Sequence, residues 1–205
     1  AGASRIDVTA TAGGLQLIRV ADDGAGMSAG DLELAIERHA TSKLAGDDLS
    51  HILTLGFRGE ALPSIGAVAR LTITSRARGA KEAFQVAVDG GRKSALKPAA
   101  RAAGTEVEVR DLFYATPARL KFMKSERAEA AAIADIVKRL ALAHPEIAFS
   151  LSNDERTTLR LDACPPGLLD HALDRLGRIL GADFIDNALP VSAFRGNVRV
   201  EGFAG

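Results

Sequence analysis

An α+β domain, with amphipathic helices laid over a mostly antiparallel sheet, is the fold this chain predicts, and three observations carry that reading. The runs Arg70 to Arg76, Ala83 to Val88 and Gly104 to Arg110 alternate in polarity with a period of two, as strands with one buried face do. Stretches opened by Ser28 and Ser125 instead place apolar side chains at helical spacing. Hydrophobic residues make up 47% of 205, enough for a sizeable core. Aromatics are only 4%, so Ala, Val, Ile and Leu must fill that core, and a base-stacking RNA platform is disfavoured.

Taken in order, Arg5 to Ala10 reads as a strand, Gly13-Gly14 as a turn and Leu15 to Ala21 as the returning strand, which ends on Asp22 and Asp23. Gly24 and Gly26 leave open the space a Cβ fills, so a flat ring can approach the backbone there. Asp22 is then placed to accept from an exocyclic amine, which adenine offers and guanine does not. A plain Asp-Gly turn capping the next helix accounts for the same residues. Ser28 and Asp31 have capping-box spacing, and Leu32, Ala35, Ile36 and Ala40 fall on one helical face, with His39 beside it as a packed, hydrogen-bonded histidine. That helix is expected to run down into Thr41, Ser42 and Lys43. Their hydroxyls and ammonium suit phosphate; a cation on a helix C-terminus is the plainer alternative. Ala45 to Leu55 is polar at its start and reads as a mobile lid.

Gly56-Phe57-Arg58-Gly59-Glu60-Ala61-Leu62-Pro63 joins a glycine-bearing loop to a helix start, with proline tolerated in the first turn. Free N–H groups, the helix dipole and Arg58 together suit a polyphosphate, although a surface loop has the same composition. Three strands follow, the third within a basic segment after Asp89-Gly90-Gly91, and Gly104-Thr105 starts an alternation with Val107 and Val109 on one side and Glu106, Glu108 and Arg110 on the other. Thr116-Pro117 opens a short basic helix bearing Arg119, Lys121 and Lys124. Ser125 caps a longer helix whose Ile133, Ile136, Val137, Leu140 and Ala141 form one apolar stripe. Phe149 to Ala163 reads as a hairpin turning near Asn153-Asp154, and Cys164-Pro165-Pro166-Gly167 marks a domain boundary. Beyond it come a helix from Leu168 to Leu180 and two strands paired across Gly196-Asn197.

Formal charge is zero, but unevenly spread: residues 1–66 carry 5 basic and 9 acidic side chains, while 92–127 carry 9 basic and 4 acidic. The basic belt suits a polyanion, and equally a solvated face. One cysteine excludes an internal disulfide and a thiolate zinc site, and the four histidines lack metal-ligand spacing. No leader or membrane-length apolar run is present, so the expected setting is reducing and cytoplasmic. The chain starts without methionine, which suggests an excerpt.

The strings Asp22-x-Gly24-x-Gly26, Ala40-Thr41-Ser42-Lys43, Gly56-Phe57-Arg58-Gly59-Glu60-Ala61-Leu62 and Asp111-Leu112-Phe113-Tyr114-Ala115-Thr116-Pro117-Ala118-Arg119 resemble MutL, the DNA mismatch-repair ATPase family. The two long strings are the specific ones, because gyrase, heat-shock chaperones and sensor kinases share only the looser glycine pattern. The resemblance implies a GHKL (Bergerat-type) α/β sandwich over residues 1–163 and the start of an S5-like transducer domain over 164–205. It implies ATP and Mg2+ as ligands. On this resemblance Asp22 is expected to read adenine, with Gly24 and Gly26 making room for it and Thr105 supporting it through water. Thr41, Ser42 and Lys43 are expected by the phosphates, and Arg58, Gly59, Glu60, Ala61 and Leu62 are expected to form the lid that holds them.

The family commonly has Asn where this chain has Asp23, which blurs which aspartate reads the base; register favours Asp22. The family's catalytic glutamate and magnesium-binding asparagine are expected upstream of Ala1, so no catalytic or metal residue is assigned here, and these residues alone are expected to hydrolyse ATP poorly. Implied partners are ATP or ADP, DNA contacted without sequence preference through Arg119, Lys121 and Lys124, MutS, a nicking endonuclease, a helicase and a second copy in a homodimer. The implied location is cytoplasmic and nucleoid-associated, with no membrane. Rival readings are the ATP domain of a topoisomerase or kinase, and a non-catalytic DNA-binding scaffold.

Overall fold

The computed structural model describes residues 1–40, 56, 58–164 and 169–205. Arg5–Thr11 (β1) pairs antiparallel with Leu17–Asp22 (β2), with Val8 opposite Val20 and Ala10 opposite Ile18. The sheet continues through Gly104–Arg110 (β7), Arg70–Arg76 (β3) and Ala83–Asp89 (β4), all antiparallel. Two short edge strands, Arg92–Lys93 (β5) and Lys97–Ala99 (β6), each pair with β4. Pro98 lies in β6, where a missing N–H costs no ladder bond. On the other side β1 takes Ala148–Asn153 (β8) in the one parallel pairing described, and β8 pairs with Arg156–Leu161 (β9).

Register puts one apolar row across this sheet. Val88, Leu71, Val109 and Ile18 form one line and Val86, Ile73, Val107 and Val20 the next, continuing to Val8 and Leu151. Helices cover that face. Ala29–Ala35 (α1) and Ala61–Val68 (α2) lie over the β3–β4 half through Leu32, Leu62 and Ile65. Glu126–Ala143 (α4) covers the β1–β8 half through Ile133, Val137 and Ala141. The opposite face carries Arg5, Asp7, Ser150, Arg19, Glu108, Thr72 and Gln85. A mixed, mostly antiparallel sheet with helices on one side is therefore the observed fold, as expected.

The local signals act as read. Ser28 Oγ accepts from Asp31 N at 3.2 Å while the Asp31 carboxylate accepts from Ser28 N at 3.2 Å, a complete capping box. Ser125 Oγ accepts from Ala128 N at 3.3 Å and opens α4. Asp154 (φ 46°) and Glu155 (φ 67°) form a left-handed pair that turns the β8–β9 hairpin. Pro117–Leu120 (α3) is the short basic helix.

Three expectations are corrected. The first helix ends at Ala35, not at Thr41, because Ile36 leaves helical geometry and the chain turns so that His39 N donates to Gly59 O at 3.1 Å. Ile136 is 56% exposed and lies outside the apolar stripe; the buried line of α4 runs through Val137 and Ala141. Leu169–Leu180 (α5) ends before Gly181 (φ 103°), as expected, but a further short helix, Ala182–Asn187 (α6), comes before the paired strands. The paired strands Leu189–Arg195 (β10) and Val198–Ala204 (β11) form a separate ribbon, turned at Gly196-Asn197. The α5 helix does not stand apart from the first sheet, because Ile179 enters the cluster of Val137, Phe149 and Leu161.

Candidate functional site

The ends of β2, β7 and β3 meet at one corner of the sheet, and the expected adenine end of the site is built there. Asp22 closes β2. Its Oδ1 accepts from Gly24 N at 2.8 Å and, more distantly, from Thr105 N at 3.4 Å. Thr105 Oγ1 lies 2.9 Å from Ser75 Oγ, and the fully buried Ser75 hydroxyl also accepts from Met27 N at 2.8 Å and donates to Gly104 O at 3.1 Å. One hydroxyl thus ties three segments together. Sequence reasoning missed Ser75, because a serine in an alternating strand carries no signal until its neighbours are known.

The two adjacent aspartates have different jobs. Asp23 Oδ1 accepts from Ser4 N at 2.7 Å and Arg5 N at 2.9 Å, and Asp23 Oδ2 accepts from the Ser4 hydroxyl. The Ser4 hydroxyl bond, chiefly, holds the Asp23 carboxyl below the usual carboxylate range, against a smaller opposing effect of burial. Asp23 therefore pins the start of β1, while Asp22 faces the loop.

The glycines serve the chain's own close approach. Gly26 has φ 67°, and a Cβ there would come within 2.0 Å of Arg76 O. A Cβ at Gly24 would meet Asp22 Oδ1 at 2.9 Å and Ala1 O at 3.0 Å. The protein itself fills the space expected for a ring beside these glycines, with the Asp22 side chain and Ala1 at Gly24 and the Arg76 backbone at Gly26, where the loop lies tightly against β3.

α1 begins three residues after Gly26 and connects this corner to the expected lid. Its seven residues rise about 10 Å, at 1.5 Å each. At the far end Gly59 (φ 63°) abuts the backbone of Ala40, whose carbonyl a Cβ would meet at 2.4 Å. Glu60 is the N-cap of α2 and makes no side-chain capping bond, so the first turn at Ala61 and Leu62 is not closed by its own cap. Glu60 Oε1 is 3.5 Å from Arg58 Nε and 3.6 Å from His39 Nδ1. His39 is 76% exposed, so it is a surface histidine beside a carboxylate and not the packed one expected. Thr41, Ser42 and Lys43 lie outside the described residues. The expected base contacts and the expected lid helix thus stand on the helix-covered face of one sheet, linked by α1. No group of three or more His, Cys, Asp or Glu able to hold a metal occurs among the described residues.

The basic belt divides. Lys93 pairs with Glu37, Arg101 with Glu106 at 3.2 Å and Arg110 with Glu108 at 2.6 Å. Arg119, Lys121 and Lys124 are exposed and their side chains form no ion pair among the described residues, although Lys124 N donates to Glu129 Oε1 at 2.9 Å; Arg119 lies 5.9 Å from the Phe113 ring centroid. The string from Asp111 to Arg119 sits at the opposite end of the sheet from Asp22, where Tyr114 donates to Asp89 and Arg70 stacks 4.5 Å from the Tyr114 ring centroid.

A mixed sheet with one helical face, an Asp-x-Gly-x-Gly turn at its corner and an Arg-Gly-Glu segment leading into a helix defines the GHKL class of ATPase-domain fold. No family model matches the chain. Its sequence is 58% identical over 204 residues to DNA mismatch repair protein MutL of Rhodospirillum rubrum, covering 100% of this chain and 32% of that protein. It is 56% identical over 205 residues to MutL of Agrobacterium fabrum, covering 33% of that protein. The Aquifex aeolicus MutL ATPase domain complexed with ADP superposes with a TM-score of 0.72 at 28% identity, over 93% of this chain and 65% of that one. The chain belongs to the MutL family, and it spans about a third of the length of the curated relatives it matches.

Proposed function

We propose that this chain is the nucleotide-binding part of an ATP-driven switch in DNA mismatch repair. The observation that carries the proposal is the setting of Asp22. Its Oδ1 is held by Gly24 N and Thr105 N, while Oδ2 has no protein donor among the described residues. A carboxylate oxygen so fixed accepts the exocyclic amine of adenine and repels the carbonyl oxygen that guanine presents at that place. The ADP complex of the Aquifex aeolicus domain, whose fold this chain shares, supports the same choice of ligand.

In this scheme Asp22 reads the base, the loop through Gly24 and Gly26 bounds it, and Thr105 supports it through water. Arg58, Gly59, Glu60, Ala61 and Leu62 receive the phosphates at the uncapped start of α2, together with Thr41, Ser42 and Lys43. ATP then orders the segment between Lys43 and Leu62, which contributes to a homodimer surface, and hydrolysis in the whole protein releases it. Mg2+ accompanies the phosphates, held by residues other than those described. The dimer relays mismatch detection by MutS to a nicking endonuclease and a helicase, in the cytoplasm and on the nucleoid. Arg119, Lys121 and Lys124 contact DNA phosphates without reading sequence. Residues 1–163 form the nucleotide domain and 164–205 begin the transducer. No helix among the described residues is long and apolar enough to cross a membrane.

Calorimetric titration with magnesium ADP tests the proposal. Saturable binding is expected for the native chain, weakened about tenfold or more in Asp22→Asn, the size of one charge-assisted hydrogen bond. Absence of saturable binding to the native chain would overturn the proposal in favour of a scaffold.

A further inference from the structure

The ladder between β2 and β7 ends one residue too early to fix the groups that face the base. Its last registered pair is Ala21 with Glu106, and the next two residues along, Asp22 and Thr105, are the ones assigned to adenine. Between the two strands the direct link at this point is the 3.4 Å contact of Thr105 N with Asp22 Oδ1, too long to set their separation firmly, although Gly24 N at 2.8 Å orients the carboxylate. A side chain from the preceding loop completes the junction. Arg101 Nη2 donates to Thr105 O at 2.8 Å and to Asp22 O at 3.1 Å, bridging the two strands where the backbone ladder stops. Its Nη1 donates to Glu106 Oε2 at 3.2 Å, and the Arg101 side chain is only 16% exposed.

From this we infer that Arg101 is a positioning residue for purine selection: its guanidinium sets the separation of Asp22 and Thr105, and hence whether the Asp22 carboxylate meets an exocyclic amine. The inference rests on the adenine-nucleotide assignment proposed above. The planar fork can reach two carbonyls and a carboxylate together because its donors are fixed in one plane, whereas an ammonium on a flexible stem cannot. Glu106 balances the charge and orients the fork, so the residue acts through geometry, without adding its own charge to the ligand. A lone arginine in a loop gives no such signal in sequence, since its three acceptors come from β2 and β7, 79 and 4 or 5 residues away.

The test uses magnesium ADP and magnesium IDP, whose bases differ in offering an amine or a carbonyl oxygen to Asp22. The native chain should bind ADP about tenfold or more tightly than IDP. In Arg101→Ala and Arg101→Lys that ratio should fall severalfold, with ADP weakened and IDP and tripolyphosphate nearly unaffected, while the circular-dichroism spectrum stays native. Glu106→Gln leaves the arginine in place and loosens its anchor. It should shift the ratio the same way by less, and it serves as the readout if the arginine variants fail to fold. An unchanged ratio, or equal weakening of ADP and IDP, overturns the role of Arg101 while leaving nucleotide binding intact. No binding of either nucleotide by the native chain defeats the adenine assignment, and this inference with it.

Discussion

Arg175 donates from both Nε and Nη2 to the carbonyl oxygen of Ala141, at 3.1 and 2.9 Å, and thereby ties α5 to the last turn of α4. The same guanidinium donates to the carbonyls of Ile147 at 2.9 Å and Asp162, and Arg175 is 5% exposed. A cation at a helix C-terminus satisfies carbonyls the helix cannot, and the dipole favours it there. Burial pulls its pKa down, an effect that the nearby Cys164, Glu146 and Asp162 offset only in part.

Arg175→Ala should therefore destabilise the chain by about 2–4 kcal/mol, because several buried carbonyls lose their donor at once. Urea unfolding followed by circular dichroism measures this. A loss under about 0.5 kcal/mol, within the range of ordinary surface substitutions, would show that α5 is not docked through this residue.

Two glycines, one before the Ser28–Asp31 capping box and one inside it, should respond in opposite directions. Gly26→Ala forces a Cβ toward Arg76 O at a left-handed φ, and should cost about 2 kcal/mol or more and weaken ADP binding. Gly30, inside α1 with nothing within 4 Å of an added Cβ, should gain about 0.5–1 kcal/mol on replacement by alanine. Thermal melts of the two variants provide the comparison.

Acid should loosen the start of β1. Asp23 is held below its ordinary pKa chiefly by the Ser4 hydroxyl, and Asp7, despite burial that pushes it up, is brought below by Arg5 and Ser150, whose Oγ donates to it at 2.5 Å. A lowered folded pKa contributes stability that is fully present above the unfolded value of about 3.9 and is lost as pH falls through the folded one. The melting temperature of the native chain should thus drop more between pH 5 and pH 3 than that of Asp23→Asn. Parallel curves would contradict it.

Charge reversal at Arg119, Lys121 and Lys124 together should lower DNA affinity uniformly across sequences and flatten the salt dependence by about two to three in log–log slope. Fluorescence anisotropy at several salt concentrations reads both quantities. An unchanged slope would remove these residues from the DNA surface.

Ser28 with Asp31, Ser125 before α4 and the hairpin turn expected near Asn153-Asp154, found at Asp154-Glu155, were legible because each depends on contacts within a few residues along the chain, and the strand from Gly104 to Arg110 because one buried face repeats every two residues. The diagnostic strings likewise announced the family. What the tertiary structure alone decided is which side chains meet across distant strands. It assigned Asp23 to Ser4 and Arg5, left Asp22 facing the loop, turned His39 outward to pair with Glu60, cut α1 short against Gly59 and exposed Ile136. Ser75 and Arg101 acquire meaning only there, since hydrogen bonds across a sheet follow from register, and register is fixed by burying the whole apolar face at once.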